Sequence, residues 1–421
     1  MDSFIYLGAI LFALLGGPIF AVMSIFALAA FHFADVQISA VAVEIYRIAG
    51  SPTLLTIPLF TFAGYLMAES KSPERLLRLA SAGLGWMPGG VAIVSLVICA
   101  FFTAFTGASG VTIIALGGLL YPMLIKEGYD EQFTLGLITT SGSLGLLFPP
   151  SLPIILYGII AKVDIDKLFL AGVIPGVLLI LILSTWSIYR GGKFQANKRS
   201  KFDFEELRLA LWNARFEVPL PFIILGGIYG GFVTATEASA LTAFYVLVMV
   251  CFCYKDLSLF KEIPRIIKES QILVGAILLI LCCALGLTNY LVDEEIPMQI
   301  LAYMKEFITS KYSFLLFLNI FLLLVGSMMD IFSAIIVVVP IILPIAAEFD
   351  INPLHLAIIF LTNLEIGYIT PPVGINLFVS SFRFKKPVLS LYKASFPYLI
   401  LMLIALVIIT YVPVLSLVWF E

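Results

Sequence analysis

Apolar residues run in blocks along this chain, punctuated by proline, glycine and short polar patches instead of the regular alternation of a soluble fold. A block of roughly 20 apolar residues spans a bilayer. On that measure residues 1–33 predict one membrane segment, or two short ones bent at Gly16, Gly17 and Pro18. Single crossings are predicted at 54–68, 173–189, 271–292 and 396–418, and a close pair at 218–232 and 235–253, around 234–238. Residues 35–50, with Glu44 and Arg47, read as interfacial. In 69–84, Lys71, Arg75 and Arg78 alternate with Leu76, Leu77 and Leu79, the pattern of a helix lying on the membrane surface or, equally, of an ordinary loop helix. A second such helix is predicted at 293–311, opening on Asp293, Glu294 and Glu295.

Four longer blocks are interrupted. Residues 89–125 break at 103–110 and residues 312–347 break near Gly326 and Asp330. Arms of about fifteen residues are each too short to cross, so each block predicts a re-entrant hairpin with a polar tip. Residues 133–161 break at 145–151, through Gly145, Phe148, Pro149 and Pro150, and 354–382 break at Gly367, Pro371 and Pro372. Proline inside a membrane helix removes an amide donor and frees carbonyls. Paired broken helices of this kind point to a transport site, where freed carbonyls meet cations and half-helix N-termini face anions; the plainer alternative is a pair of proline kinks with no ligand.

The breaks are related by a constant offset of 222 positions, which carries Gly145 onto Gly367, Phe148 onto Thr370 and Pro150 onto Pro372, and also Pro122 onto Pro344, Thr140 onto Thr362 and Gly64 onto Gly286. Such an offset predicts an internal repeat, 1–192 and 217–421, joined by a cytoplasmic linker at 193–216. Charge adds orientation. Lys71, Arg75 and Arg78 correspond to Asp293, Glu294 and Glu295, and Arg383, Lys385 and Lys386 to the nearly neutral 161–168. Basic loops mark the cytoplasmic side, so the halves are expected to be inverted. That places 71–78, 126–132, 191–215, 255–268 and 383–393 inside, the first hairpin entering from the cytoplasm and the second from outside.

Composition narrows the class further. Hydrophobic residues make up 61% of the chain and charged residues 12%, against roughly 25% charged in a soluble domain. The fold class is therefore an all-α integral membrane protein. The net charge of −3, carried in short loops, leaves no basic surface for nucleic acid. Cys99, Cys251, Cys253, Cys282 and Cys283 lie in apolar stretches without metal-ligand spacing and read as packing residues. The N-terminal block has no basic n-region and reads as a retained segment, not a cleaved signal.

Intramembrane carboxylates are functional candidates by default, and here they are Glu237, Asp330 and Glu365. They form no acid/base dyad or metal cluster, and structural hydrogen bonding at a helix end competes with ion coupling for each. This argues against an intramembrane enzyme. His355, following Pro353, reads as structural. Near the breaks, Thr103, Thr106, Ser109, Thr140, Ser141, Ser143 and Asn363 supply neutral oxygens and amides, which with backbone carbonyls can replace the hydration shell of a monovalent cation. The same small residues also serve close helix packing. The N-termini after Gly110 and Ser151 are placed to meet a substrate carboxylate.

Several segments carry a resemblance: 106–110 (Thr-Gly-Ala-Ser-Gly), the 127–130 turn, 148–153 with Tyr157 and Gly158, 230–238, and above all Asn363-Leu-Glu-Ile-Gly-Tyr-Ile-Thr-Pro-Pro-Val-Gly-Ile-Asn-Leu-Phe. Across essentially the whole length the chain resembles the large membrane subunit of tripartite ATP-independent periplasmic (TRAP) transporters, the DctM-like family. The resemblance implies an inverted-repeat, elevator-type secondary transporter of the bacterial inner membrane, driven by sodium. The hairpins and broken helices would move as one block against the remaining helices. It implies two partners, a separate small four-helix DctQ-like subunit and a DctP-like periplasmic binding protein delivering an organic acid such as a C4-dicarboxylate or sialic acid. One Na+ site is implied at Thr103, Thr106, Gly145, Phe148 and Pro150, and a second at Gly326, Gly367, Thr370 and Val373. Ser109, Ser141, Ser143, Asn363 and Asn376 are the expected substrate contacts. The tip at 106–110 departs from the serine-rich form of many relatives. The alternative is a self-sufficient proton- or sodium-coupled anion carrier working through Glu237, Asp330 or Glu365.

Overall fold

The computed structural model describes residues 8–9, 11–12, 15, 17–33, 43, 46, 50–194, 202–305, 308 and 310–420, and every regular element among them is helical. Glu44, Arg47, most of the interfacial 35–50 stretch and the Asp293 side chain lie outside the described residues. Helix α1 (Ile19–Phe33) starts directly after Pro18, with helical residues at 8–9 and 11–12 before it, so the chain is interrupted at Gly17 and Pro18.

Helix α2 (Thr56–Glu69) is 14 residues long and leads into α3 (Ser72–Leu84). Helix α3 is amphipathic, but one of its basic residues does not face water. The Arg75 Nε lies 2.5 Å from Glu217 and its Nη2 2.8 Å from Asp256, with the guanidinium 3.8 Å from the centre of the Tyr254 ring. Ser72 and Tyr254 donate to Glu217 at 3.1 and 2.8 Å. Arg78 bridges to Glu206 at 2.6 Å and Arg265 to Glu69 at 2.6 Å. The acidic end of α2, through Glu69, and the basic face of α3, through Arg75 and Arg78, are thus clamped to the chain between 206 and 265.

The first hairpin is α4 (Gly90–Thr106) and α5 (Ser109–Lys126). Its arms are 17 and 18 residues, longer than the expected fifteen, because only Gly107 and Ala108 form the turn. Gly107 takes a left-handed φ of 64° there, a conformation that costs glycine nothing. Helix α6 (Glu131–Ser141), capped by Asp130, is followed by a 3-10 turn (Leu144–Leu147) and α7 (Leu152–Ala161), with a bend of 42°. Next, α8 (Ile165–Phe194) runs 30 residues, and α9 (Phe204–Asn213) lies against α3.

In the rest of the chain, α10 (Pro219–Tyr229) and α11 (Ala235–Val248) form the predicted close pair, extended by a π turn at Met249–Cys253. Helix α12 (Glu262–Asp293) is one 32-residue rod that takes in the second half, 262–268, of the basic stretch 255–268. A short α13 (Ile296–Lys305) falls where the second surface helix was expected. The second hairpin is α14 (Lys311–Met328) and α15 (Ile331–Ala347), turning at Met329 and Asp330, so Gly326 and Ser327 remain in the last turn of α14. Helix α16 (Pro353–Gly367) breaks before α17 (Ile375–Phe384), and α18 (Val388–Tyr411) and α19 (Val414–Leu417) finish the chain. The Pro149–Pro150 and Pro371–Pro372 bonds are both cis.

Packing ties the interrupted elements to one another. Arm α5 of the first hairpin packs on α17 and arm α15 of the second packs on α7, while α4 holds the 144–147 turn and α14 holds α16. Helix α18 lies along α6, where the Tyr398 hydroxyl donates to the Phe133 carbonyl at 3.1 Å, and α8 packs on α18 and the 144–147 turn. A second group forms from α1 against α12 and α2 against α11 and α12. Among the described residues six helices are long and apolar enough to cross a membrane, and the bent pair α6–α7 makes a seventh; the six include the hairpin arms α5 and α14, which are therefore not too short to cross, contrary to the expectation from their sequence blocks.

Candidate functional site

At the first break, consecutive prolines withhold two amide donors, and the chain leaves the helix in short turns. Leu146 donates to the Ser143 carbonyl, Phe148 to Gly145 and Ser151 to Phe148, each at 3.0 Å. Each carbonyl keeps a second lone pair beyond that bond. Gly145 sits directly on α4: a Cβ there would overlap the Ala100 carbonyl oxygen and approach the Thr103 Cβ to 2.6 Å. The Thr103 hydroxyl lies 2.7 Å from the Gly142 carbonyl and 2.8 Å from the Thr112 hydroxyl, which is itself 3.4 Å from Thr106. Thr103, Thr106 and Gly145 are therefore brought together, with Pro150 buried in the same break. The Phe148 ring turns outward onto Gly176 of α8.

The second break is built the same way around Gly326. A Cβ on Gly367 would overlap the Gly326 backbone, and the Ser327 carbonyl accepts from Val373 at 3.2 Å and Gly374 at 3.1 Å. Thr370 donates through its amide to Gly367 at 3.0 Å and through its hydroxyl to Ile366 at 2.8 Å, leaving its oxygen lone pairs available. Gly326, Gly367, Thr370 and Val373 thus share one patch.

Between the breaks the two interrupted helices touch. The Asn376 amide donates to the Thr139 carbonyl at 3.1 Å, and the Thr139 hydroxyl to Ser380 at 2.9 Å, joining α6 to α17. Ser141 and Ser143 donate back to the Ile138 and Thr140 carbonyls, both at 3.2 Å. The Ser109 carbonyl faces Gly142, within 3.4 Å of a Cβ built there. Asn376 therefore meets α6 at Thr139, while Ser109 approaches Gly142 and Ser141 and Ser143 bond within their own turns; Thr112, Thr139 and Ser380, which sequence reasoning missed, take part in these contacts. The signals for these three were slight, namely a threonine on the opposite hairpin arm, the neighbour of Thr140, and a serine one turn beyond Asn376. Asn363 points elsewhere. Its amide donates to Asn319 at 2.7 Å, and Asn319 to Thr410 at 3.1 Å, a network that fastens α16 to α14 and α18.

The candidate carboxylates separate cleanly. Glu237 closes a capping box with Thr234 at the start of α11, and Asp330 caps α15 through Ser333, so both serve helix ends. Glu365 alone is fully buried, and neither of its oxygens has a hydrogen-bond partner. His355 lies between the Ser416 hydroxyl and the Thr410 carbonyl, a structural placement. Around the breaks, Thr140 Oγ1, Ser151 Oγ and Asn376 Oδ1 are buried without partners. Among the described residues no three His, Cys, Asp or Glu side chains come together as a metal-binding group. The junction offers hard, neutral oxygens, which suit an alkali cation better than a transition metal.

Comparison with known proteins converges on one family. A family model described as the tripartite ATP-independent periplasmic transporter, DctM component, matches residues 4–415. The chain is 37% identical over 389 residues to the C4-dicarboxylate TRAP transporter large permease protein DctM of Pseudomonas aeruginosa, covering 91% of this chain and 90% of that one. It is 36% identical over 408 residues to the isethionate TRAP transporter permease protein DctMQ of Oleidesulfovibrio alaskensis, covering 96% of this chain but spanning 64% of that relative's length. It is also 29% identical to the ectoine/5-hydroxyectoine TRAP transporter large permease protein UehC of Ruegeria pomeroyi, covering 83% of this chain and 82% of that one. In fold it is similar to the YdaH transporter of Alcanivorax borkumensis, with a TM-score of 0.64 at 12% identity, covering 90% of this chain and 88% of that one. The chain is a multi-pass membrane protein that belongs to the DctM family, the large permease components of tripartite ATP-independent periplasmic transporters.

Proposed function

We propose that the chain is the translocating subunit of a sodium-driven TRAP transporter importing an organic acid, working in the bacterial inner membrane. The observation that carries the proposal is the set of buried oxygens without partners, Thr140, Ser151 and Asn376, beside carbonyls at the two proline breaks that each keep a lone pair beyond their amide bond. Unsatisfied buried polar groups are costly, and a cation bound among them would supply the missing interactions. The two sodium sites are Thr103, Thr106, Gly145, Phe148 and Pro150 on one side and Gly326, Gly367, Thr370 and Val373 on the other. The acid would meet Ser109, Ser141, Ser143 and Asn376 where α6 and α17 join. Relatives bear the names of C4-dicarboxylate, isethionate and ectoine transporters, and a small anionic or zwitterionic acid fits all three.

The inverted halves are 1–192 and 217–421 with the linker 193–216, and the two hairpins are re-entrant. The moving block consists of both hairpins and both broken helices, because α5 packs on α17 and α15 on α7. The contact of α18 with α6 and of α8 with α18 enlarges that block by these two helices. It would travel as an elevator against α1, α2 and α10–α12. A DctQ-like four-helix subunit would brace the static part, and a DctP-like binding protein would deliver the substrate.

Thermal unfolding of the purified protein in sodium chloride, against choline chloride at equal ionic strength, tests the ion sites. At a hundred times its dissociation constant one bound ion stabilises by about 2.7 kcal/mol. A sodium-selective rise in melting temperature is the expected result, and equal melting in both salts would overturn the coupling ion.

Glu365 supports a second reading, a proton-coupled carrier, because it is buried with no partner for either oxygen. Glu365→Gln keeps the shape and forfeits no hydrogen bond the structure shows. Under the sodium reading, uptake by this variant should remain sodium-dependent and within about twofold of the parent. Loss of uptake with unchanged melting would favour the proton carrier.

A further inference from the structure

Helix α9 has two faces of different chemistry. Leu207, Ala210 and Ala214 follow one side, where Ala210 is fully buried and Leu207 reaches Gly83 of α3. At helical spacing on the other side come Phe204, Arg208, Leu211, Trp212 and Arg215, a stripe about 100° wide. Phe204 is 68% exposed and Trp212 66% exposed. Arg208, Leu209, Leu211, Trp212 and Arg215 line a cleft of about 490 Å³.

The arginines of this stripe differ from those nearby. Arg75, Arg78 and Arg265 are each held by carboxylates, whereas among the described residues no carboxylate pairs with Arg208 or Arg215. The Arg215 guanidinium lies 4.8 Å from the Trp212 ring and 4.9 Å from the Phe216 ring, and donates to the Trp212 carbonyl at 3.3 Å. That arrangement fixes its position while leaving donors unused. A planar guanidinium suits a phosphate diester, an indole prefers the headgroup level, and exposed leucines suit acyl chains. The Arg78–Glu206 and Arg75–Asp256 ion pairs put α9 and the basic 255–268 stretch against α3, and by the positive-inside rule these basic segments are expected to face the anionic cytoplasmic leaflet.

We propose that the Arg208–Trp212–Arg215 cleft binds the headgroup of an anionic phospholipid from that leaflet. The lipid would sit on α9 and, through α9 and its Arg78–Glu206 contact, steady α3. The site is separate from the broken helices, and it stands whether or not sodium is the coupling ion.

Native mass spectrometry of the delipidated full-length chain, titrated with dioleoyl phosphatidylglycerol or dioleoyl phosphatidylcholine, tests it. The parent should take its first phosphatidylglycerol about tenfold more tightly than phosphatidylcholine. The double variant Arg208→Gln with Arg215→Gln, checked for unchanged melting, should lose that preference. An unchanged preference in the variant would overturn the proposal. So would displacement of the lipid by inorganic phosphate at equal concentration, which would mark a free-anion site. A third refuting result is burial of Trp212 against an aqueous fluorescence quencher by the co-expressed small subunit in lipid-free detergent, which would assign this face to a protein partner.

Discussion

Gly145→Ala should abolish transport and lower the stability of the protein by about 3 kcal/mol, at the upper end of what overpacking costs. The added methyl group would overlap the Ala100 carbonyl oxygen and lie 2.5 Å from the Ala104 amide nitrogen. Both are backbone atoms in the last two turns of α4, so no side-chain rotation relieves the clash. Either the 144–147 turn lifts off α4, or α4 bends. Both outcomes separate Thr103 from Gly142 and dismantle the proposed ion site. Gly367→Ala should do the same at the second break, because the new carbon would overlap the Gly326 backbone. Gly275→Ala in α12 is the control, since nothing lies within 4 Å of its added carbon, and alanine favours a helix. Thermal unfolding and sodium-dependent uptake read all three. A Gly145→Ala protein that melts and transports like the parent would show that the turn does not rest on α4 as described.

The second large effect concerns Arg75. Arg75→Ala should cost about 3 to 5 kcal/mol, because it strands the fully buried Glu217 and the adjacent Asp256 without a counter-charge. Arg75→Lys should recover only part of this loss. One ammonium cannot reach both carboxylates in the fork geometry of a guanidinium, nor can it stack on Tyr254 with the same face. Combining Arg75→Ala with Glu217→Gln should restore about half the lost stability, because the buried charge is then removed along with its partner. If Arg75→Ala melts within a degree of the parent, Arg75 does not clamp α3 to Glu217 and Asp256.

Much of this molecule was legible from residue order. Apolar blocks with Gly-x-x-x-Pro-Pro interruptions foretell broken helices because proline cannot donate, whatever surrounds it. The capping residues Asp130, Thr234, Asp330 and Asn352 mark helix starts for an equally local reason. Boundaries set by packing were harder to read. The hairpin arms grew to 17 and 18 residues because a two-residue turn suffices, and α12 absorbed the second half of a basic stretch because its charged side chains find room at the helix surface. Of the carboxylates, Glu237 and Asp330 were readable as caps from the threonine and serine three positions away, yet their place in apolar blocks made them look functional.

Periodicity, proline chemistry and charge asymmetry are properties of neighbours in sequence, and these alone determined the membrane class, the two breaks and the basic face. Which polar groups share a site depends on contacts between positions far apart in the chain. Only the tertiary structure sets Asn376 against Thr139, seats Gly326 under Gly367, turns Asn363 away towards Asn319, and buries Arg75 between Glu217 and Asp256. The reason is geometric. A helix fixes the angle between side chains on one element, but the rotation of each helix about its own axis is decided by what it packs against.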